Sequence, residues 1–419
     1  MIKRFIYSLS ILLLLSNTYQ GTAQSTINEL YLSAIASKDS IYSKTFNEEK
    51  QFWVQLPENY NPKSLEKYPV VYILDGGVQL KTLETVYENY WGHYLPNMIL
   101  VGISNQTNRT KDLTTSQIKM YGKTKLNPNT GGAEKFTQYI ENELIPFIDK
   151  NYPTTSYRTL IGHSYGGLFT INMLINHNSL FKNYIAIDPS LDWDNQKLLK
   201  QAKTKLVSDN FKGKSLFVSM SAEQLHMWDE TVTVENLMKN TSEFTLFPRS
   251  IVEFSKFAES HKESDLNFSW KIYPEDLHQT IPLPSIRDGL VFLFKWFQFQ
   301  HPPKYNNPET TVEKLTELLN KQAKIYAENF GYSVPPMIEE MLNGYGYMNM
   351  QMGFPEKAKL FFKLGVKYYP KNANSYDSLA EYYESQKDYS NALKNIKIAF
   401  ELSGSEVHKK RLEKIKSKN

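Results

Sequence analysis

Ser164 stands in Gly162-His-Ser-Tyr-Gly-Gly167, between the apolar run Tyr157–Ile161 and the apolar stretch Leu168–Ile175. A serine hydroxyl is a poor nucleophile until a base takes its proton and N–H donors receive the charge that builds on the attacked carbonyl oxygen. A strand entering the serine, a helix leaving it and glycines on either side answer the placement problem, because side chains at the flanking positions would clash in so sharp a turn. A glycine-rich turn with an idle serine would not need the strand and the helix. The base is expected on a late loop, in the chain order serine, acid, histidine. His278 fits: it follows Trp270–Tyr273, which reads as a strand, and precedes the apolar helix Ile286–Phe297. His226 and His261 are also downstream, but neither directly follows a strand, and His163 must point away from its neighbour Ser164.

The acid is expected just past an intervening strand. Ser215–Ser219 leads into Met220-Ser-Ala-Glu223, so Glu223 is the first candidate, with Asp229 its main competitor and Asp276 a weaker one. A carboxylate there would hold the tautomer of the imidazole and support its positive charge. Backbone N–H donors are expected at Tyr165, after the nucleophile, and at Gly77, in Asp75-Gly-Gly77 after the run Tyr68–Leu74. The chemistry these groups can do is acyl transfer from an ester through an acyl-enzyme. It needs no metal or organic cofactor, and the sequence has no H-E-x-x-H pair, EF-hand loop or phosphate loop.

Such groups need a rigid frame. Gln51–Leu56, Tyr68–Leu74, Met98–Ile103, Arg158–Ile161, Tyr184–Ile187, Ser215–Ser219 and Trp270–Tyr273 read as strands, separated by helical stretches such as Ala133–Tyr152 and Leu168–Asn176. Continuous apolar strands alternating with helices predict an α/β fold, a mostly parallel sheet covered on both faces. The loop 104–132 is expected at the mouth of the site, where Arg109 and Lys111 could attract an anion or be merely solvated. Trp193 and Trp228 are candidates for an acyl pocket, with core packing the equal alternative, and the segment from Trp228 to Asn267 is long enough for a small cap.

After the Pro-rich join His301–Pro308 the strands stop. Ala358 and Ala392, Phe362 and Ile396, and Gly346 and Ala380 are each 34 residues apart, a spacing of small and large residues that resembles tetratricopeptide repeats. The expected organisation is a signal peptide at 1–24, an α/β-hydrolase unit at 25–301, a linker and connecting helix at 302–338 and helical repeats at 339–419. The signal peptide rests on a basic start, Lys3-Arg4, an apolar run Phe5–Ser16 too short to span a bilayer, and small residues suited to cleavage near Ala23 or Gln24. Export to a periplasm or to the medium is therefore expected, with no integral membrane segment in the mature chain. The 419 residues contain no cysteine, which excludes disulfides, thiolate metal sites and a cysteine nucleophile. A net charge of only +4 gives no warrant for a nucleic-acid partner. Its basic surplus at Lys394–Lys418 reads as a solvated helix face.

The runs YPVVYILDGG, VGISNQTNRTKDLT, ENELIPFIDKNYPTTSYRTLIGHSYGG, IDPSLDWDN and HQTIPLPSIRDGLVFLF resemble the putative-esterase family of α/β-hydrolases over roughly residues 28–300. That family includes siderophore trilactone esterases, feruloyl and acetyl-xylan esterases, S-formylglutathione hydrolases and mycolyltransferases. The resemblance implies Ser164 as nucleophile, His278 as base, an acid near Glu223, donors at Tyr165 and Gly77, and a structural Asp75. It implies an exported serine ester hydrolase acting on a small-molecule or glycan-linked ester, with siderophore lactones and polysaccharide esters as rivals. Acyl transfer to an alcohol by the same triad, or a non-catalytic protein binding a partner through its repeats, are the alternatives.

Overall fold

The computed structural model describes residues 30–418 apart from 59, 61, 63–65, 123, 127–128, 227–228 and 299–301. The expected signal peptide and Trp228 lie outside the described residues. Continuous apolar runs become the buried strands: β3 (Tyr68–Ile73), β4 (Ile99–Ile103) and β8 (Asn183–Ile187) are buried at every position. They are joined by β1 (Ser37–Ser43), β2 (Glu48–Gln55), β7 (Thr154–His163), β9 (Ser215–Ser221) and β10 (Asn267–Tyr273) in an eight-stranded sheet of order β1-β2-β4-β3-β7-β8-β9-β10. The six strands from β4 to β10 in that order are parallel, and β2 and β1 are antiparallel at one edge. A separate small ribbon, β5 (Met120–Tyr121) with β6 (Thr124–Lys125), stands on the loop after β4. This is an α/β-hydrolase fold. β1, mostly exposed and polar, is the strand that hydrophobic periodicity does not reveal.

Parallel connections bring every helix N-terminus in the core to the same edge of the sheet. The helix Tyr165–Asn176 follows β7 and is buried from Gly166 to Ile175, as a helix wrapped by the core should be. The helix Gly76–Tyr90 follows β3 and crosses β4 so closely that a side chain at Gly76 would overlap the main chain of Gly102. The expected cap region instead supplies the helix Leu246–Ser260, whose buried face (Ile251, Val252, Phe254, Ala258) joins the main core. The helix Ala133–Tyr139 runs through a π turn at Ile140–Leu144 into Ile145–Asn151. There Glu143 reaches back to accept from Thr45 N at 2.8 Å and Thr45 Oγ1 at 2.6 Å.

The chain divides into two units, with the boundary between Lys295 and Trp296 and with Gly92–Tyr94 belonging to the second unit. The second unit is all helical: Val312–Phe330, Glu339–Gln351, Pro355–Tyr368, Ala373–Ser385, Tyr389–Ser403 and Glu406–Lys416. Side chains of Thr311, Asn372, Asp388 and Ser405 accept from the first-turn N–H groups that have no partner inside their helices. Successive helix pairs begin 34 residues apart, at Glu339 and Ala373 and at Pro355 and Tyr389. Small residues face large ones where the two helices of a pair meet, Gly346 lying directly against the Phe362 ring. The segment 302–338, read as a linker and connecting helix, holds a 19-residue helix whose Leu315 and Leu319 share a core with Tyr305, Leu342 and Phe361. The basic end is not simply solvated: Arg411 reaches Asp377 at 2.5 Å, and Lys418 reaches Glu384 at 2.8 Å. Among the described residues no helix is long and apolar enough to cross a membrane.

Candidate active site

Chain segments that leave the carboxyl ends of β3, β4, β7, β8, β9 and β10 meet here. Ser164 ends β7 in a backbone conformation (φ 59°, ψ −116°) that non-glycine residues rarely adopt. Its N–H donates to Ile187 O at 2.9 Å, and its carbonyl accepts from Leu168 N at 3.0 Å and Ser190 N at 3.2 Å. The turn is fixed on three sides. A side chain at Gly162 would overlap the Gly166 carbonyl, and a Cβ at Gly167 would lie 2.9 Å from Pro189, whereas one at Gly166 would make ordinary contact with Leu74 at 3.5 Å. Two of the three glycines are therefore sterically required. The Ser164 hydroxyl lies 3.4 Å from that of Ser190.

Tyr165 and Gly77 both fall in the first turns of their helices, where N–H groups have no intrahelical acceptor and the helix dipole favours negative charge. Asp75 is the hinge of the second of these turns, in the left-handed region at φ 54°. Its carboxylate takes two bonds from Arg109, Nε at 2.8 Å and Nη2 at 2.9 Å, and a third from Asn105 Nδ2 at 3.0 Å. Asp75 N donates in turn to Asn105 Oδ1 at 2.7 Å. Arg109 Nη2 also donates to His163 O at 3.0 Å, and its guanidinium lies over the Tyr165 ring. Asp75 thus ties the loop after β4 to the turn before Ser164, and the Arg109 side chain remains 31% exposed.

His278 lies on the loop between β10 and the helix Pro282–Leu293. Its ring Nδ1 is 2.8 Å from Asp188 Oδ2, and its main-chain N donates to Glu223 Oε2 at 2.6 Å. The carboxylate on the imidazole is therefore Asp188, at the end of β8, while Glu223, at the end of β9, holds the backbone of the same residue. Asp188 is fully buried, sits at φ 43°, and accepts from Ser221 Oγ at 2.7 Å and Ser221 N at 3.2 Å. Its signal in the sequence was its place in IDPSLDWDN, directly after Tyr184–Ile187, which is the same kind of strand end that drew attention to Glu223. Asp229 and Asp276 are occupied locally, by Thr231 N (2.9 Å) and Oγ1 (2.6 Å) and by Thr280 Oγ1 (2.9 Å). His261 stacks on Phe257 and bonds its carbonyl at 2.8 Å.

His163 packs its ring against that of His278, with centroids 4.5 Å apart. Burial, and then the neighbouring His278 and Arg109 charges, depress its pKa to about 3, opposed by a hydrogen bond with the His278 main chain. It is neutral at any pH where an ester hydrolase works. On the side of Tyr165 an aromatic cluster forms with Tyr121 and Trp193. Trp193 is only 1% exposed and donates to Ser116 O at 3.1 Å, which is core packing. Asp192 beside it accepts from Tyr121 at 2.6 Å, and burial raises its pKa to about 6. Among the described residues no three His, Cys, Asp or Glu side chains converge as a metal site would require.

Residues 43–247 match the family model described as "Putative esterase". That segment is similar to the esterases of this family. Over 171 residues the chain is 30% identical to ferri-bacillibactin esterase BesA of Bacillus subtilis, a match spanning 37% of this chain and 59% of that protein. It is 28% identical over 248 residues to the siderophore triacetylfusarinine C esterase of Aspergillus fumigatus, spanning 55% of this chain and 83% of that one. Among solved structures, an IroE-like serine hydrolase from Shewanella oneidensis superposes with a TM-score of 0.65 at 28% identity, covering 80% of this chain and 99% of that one.

Proposed function

We propose that this protein is an exported serine esterase acting on siderophore-type esters and working through Ser164, His278 and Asp188. The observation that carries the reading is the 2.8 Å contact between His278 Nδ1 and the buried Asp188 carboxylate, in the same cluster of strand ends as the strained Ser164 turn. In this reading the Nδ1–H faces Asp188, leaving Nε2 unprotonated and able to act as base. His278 Nε2 takes the proton of Ser164 Oγ as that oxygen adds to the ester carbonyl. The carbonyl oxygen becomes an oxyanion and is received by the N–H groups of Tyr165 and Gly77, a class of donor worth about 10²–10³ in rate. His278 then gives its proton to the departing alkoxide, which leaves as the alcohol, and water repeats the sequence on the acyl-enzyme. Glu223 fixes the loop that carries the base. The siderophore class is favoured because the matched relatives of stated activity carry it in their names. The 34-residue helix pairs are read as tetratricopeptide-like repeats.

Hydrolysis of short-chain aryl esters and of a catecholate trilactone, by the wild type beside Ser164→Ala, tests the reading. The variant is expected to lose at least about 10³-fold in kcat with its fold intact. Equal rates for the two proteins, or no turnover of any ester by the wild type, would sink it.

A further inference from the structure

Two carboxylates hold His278, and they hold different parts of it. Asp188 meets the ring at 2.8 Å, and Glu223 meets the main-chain N–H at 2.6 Å. We propose that Glu223 is a reserve acid for the triad: it clamps the histidine loop while Asp188 is in place, and it supports the imidazole when that seat is empty. This rests on the serine-hydrolase reading above.

The argument is one of reach and seating. β8 and β9 are neighbouring parallel strands in register, with Ile187 opposite Ser219, so the residues that leave their ends approach His278 from adjacent positions. The main-chain N and the ring Nδ1 of one histidine are only four bonds apart. An oxygen already in contact with the first needs a side-chain rotation, not a backbone shift, to approach the second. Glu223 has the freedom for this. It is half-buried and begins the short helix Glu223–His226, and glutamate has one more rotatable bond than aspartate. Asp188 is fastened instead, by Ser221 Oγ and Ser221 N, and its Oδ2 is the carboxylate oxygen at the ring Nδ1. The other two carboxylates weighed for this role, Asp229 and Asp276, are bound by Thr231 and Thr280.

The proposal makes an inverted prediction. Asp188→Asn leaves a neutral amide in the seat, which blocks Glu223 and favours the wrong imidazole tautomer, so kcat should fall about 10⁴-fold. Asp188→Ala empties the seat, admits Glu223 and should lose only about 10²-fold. Asp188→Ala with Glu223→Gln should return to about 10⁴-fold, although Glu223→Gln alone should cost less than about tenfold. These losses are expected in kcat with little change in KM. The downfield proton NMR signal of an imidazole N–H bonded to a carboxylate should persist in Asp188→Ala and vanish in the double variant. Asp188→Gly, suited to a φ of 43°, replaces the alanine if that variant does not fold. If folded Asp188→Ala is as slow as Asp188→Asn, or if adding Glu223→Gln changes nothing, the reserve role is wrong while the reading of Ser164 stands. An inactive Glu223→Gln beside active Asp188 variants would make Glu223 the triad acid itself. An active Ser164→Ala would remove the serine-hydrolase reading, and this proposal with it.

Discussion

The nucleophile and the base of the proposed triad stand out in local sequence because each role would need a particular local setting. Ser164 is announced by a turn that only glycine-flanked residues make, and His278 by its place between the last strand and the closing helix. Asp188 could not be chosen over Glu223 in the same way. Both leave strand ends, and only the packed position of the imidazole decides which carboxylate meets the ring. His163 shows the opposite case, a titratable group beside the site that the fold keeps uncharged. With a folded pKa near 3 against about 6.5 unfolded, it binds fewer protons folded than unfolded, so stability should fall as pH drops below about 6.5. At pH 5 the cost is about 2 kcal/mol. Urea unfolding of wild type and His163→Gln at pH 7 and pH 5 should show the variant losing less on acidification. Asp192, with its pKa raised to about 6, opposes this between about pH 4 and 6 in both proteins and drops out of the comparison. An equal loss in both would mean that His163 is not the group responsible.

At the scale of elements, strands buried on both faces were legible because burial leaves an unbroken apolar run, as in Val70–Ile73 and Ile99–Val101. β1 was not, because a half-exposed edge strand carries almost no hydrophobic pattern. The π turn at Ile140–Leu144 was equally hidden, and the Glu143 bonds to Thr45, 98 residues away in the chain, have no local signature either. In the helical unit, the repeat of small residues did mark where helices approach. Gly344 and Gly346 separate that signal from helix propensity. A Cβ at Gly346 would come within 2.5 Å of the Phe362 ring, whereas one at Gly344 meets nothing within 4 Å. Replacing a helical glycine by alanine gains up to about 1 kcal/mol, and overpacking costs about 1–3 kcal/mol. Gly344→Ala should therefore raise the urea midpoint of the helical unit and Gly346→Ala should lower it. A rise in both would show that the Phe362 ring yields freely.

For the whole molecule, the change from alternating strands and helices to helices alone was visible as a change of pattern after the Pro-rich join. The unit boundary itself falls earlier, between Lys295 and Trp296, because Trp296 packs edge-on against Tyr326 and Phe330 and Phe297 stacks on Tyr326. No local pattern around Trp296 states that allegiance. With no cysteine anywhere, each unit is stabilised by packing and not by cross-links, so passage into an oxidising compartment imposes no pairing to be achieved. Export itself is tested by N-terminal sequencing of protein recovered outside the inner membrane. The mature chain should begin just after Ala23 or Gln24, and an intact Met1 start would overturn the proposal.

Asp75, Ser164 and Asp188 leave β3, β7 and β8 with φ of 54°, 59° and 43°, a conformation that costs non-glycine residues of order 1–3 kcal/mol each. Glycine would adopt all three without that cost. The site is therefore a place where heritable change has a direction. In a lineage no longer selected for hydrolysis, Ser164→Gly would relieve strain as it removes the hydroxyl, whereas at Asp75 and Asp188 the bonds to Arg109, Asn105 and Ser221 hold the strained residue in place.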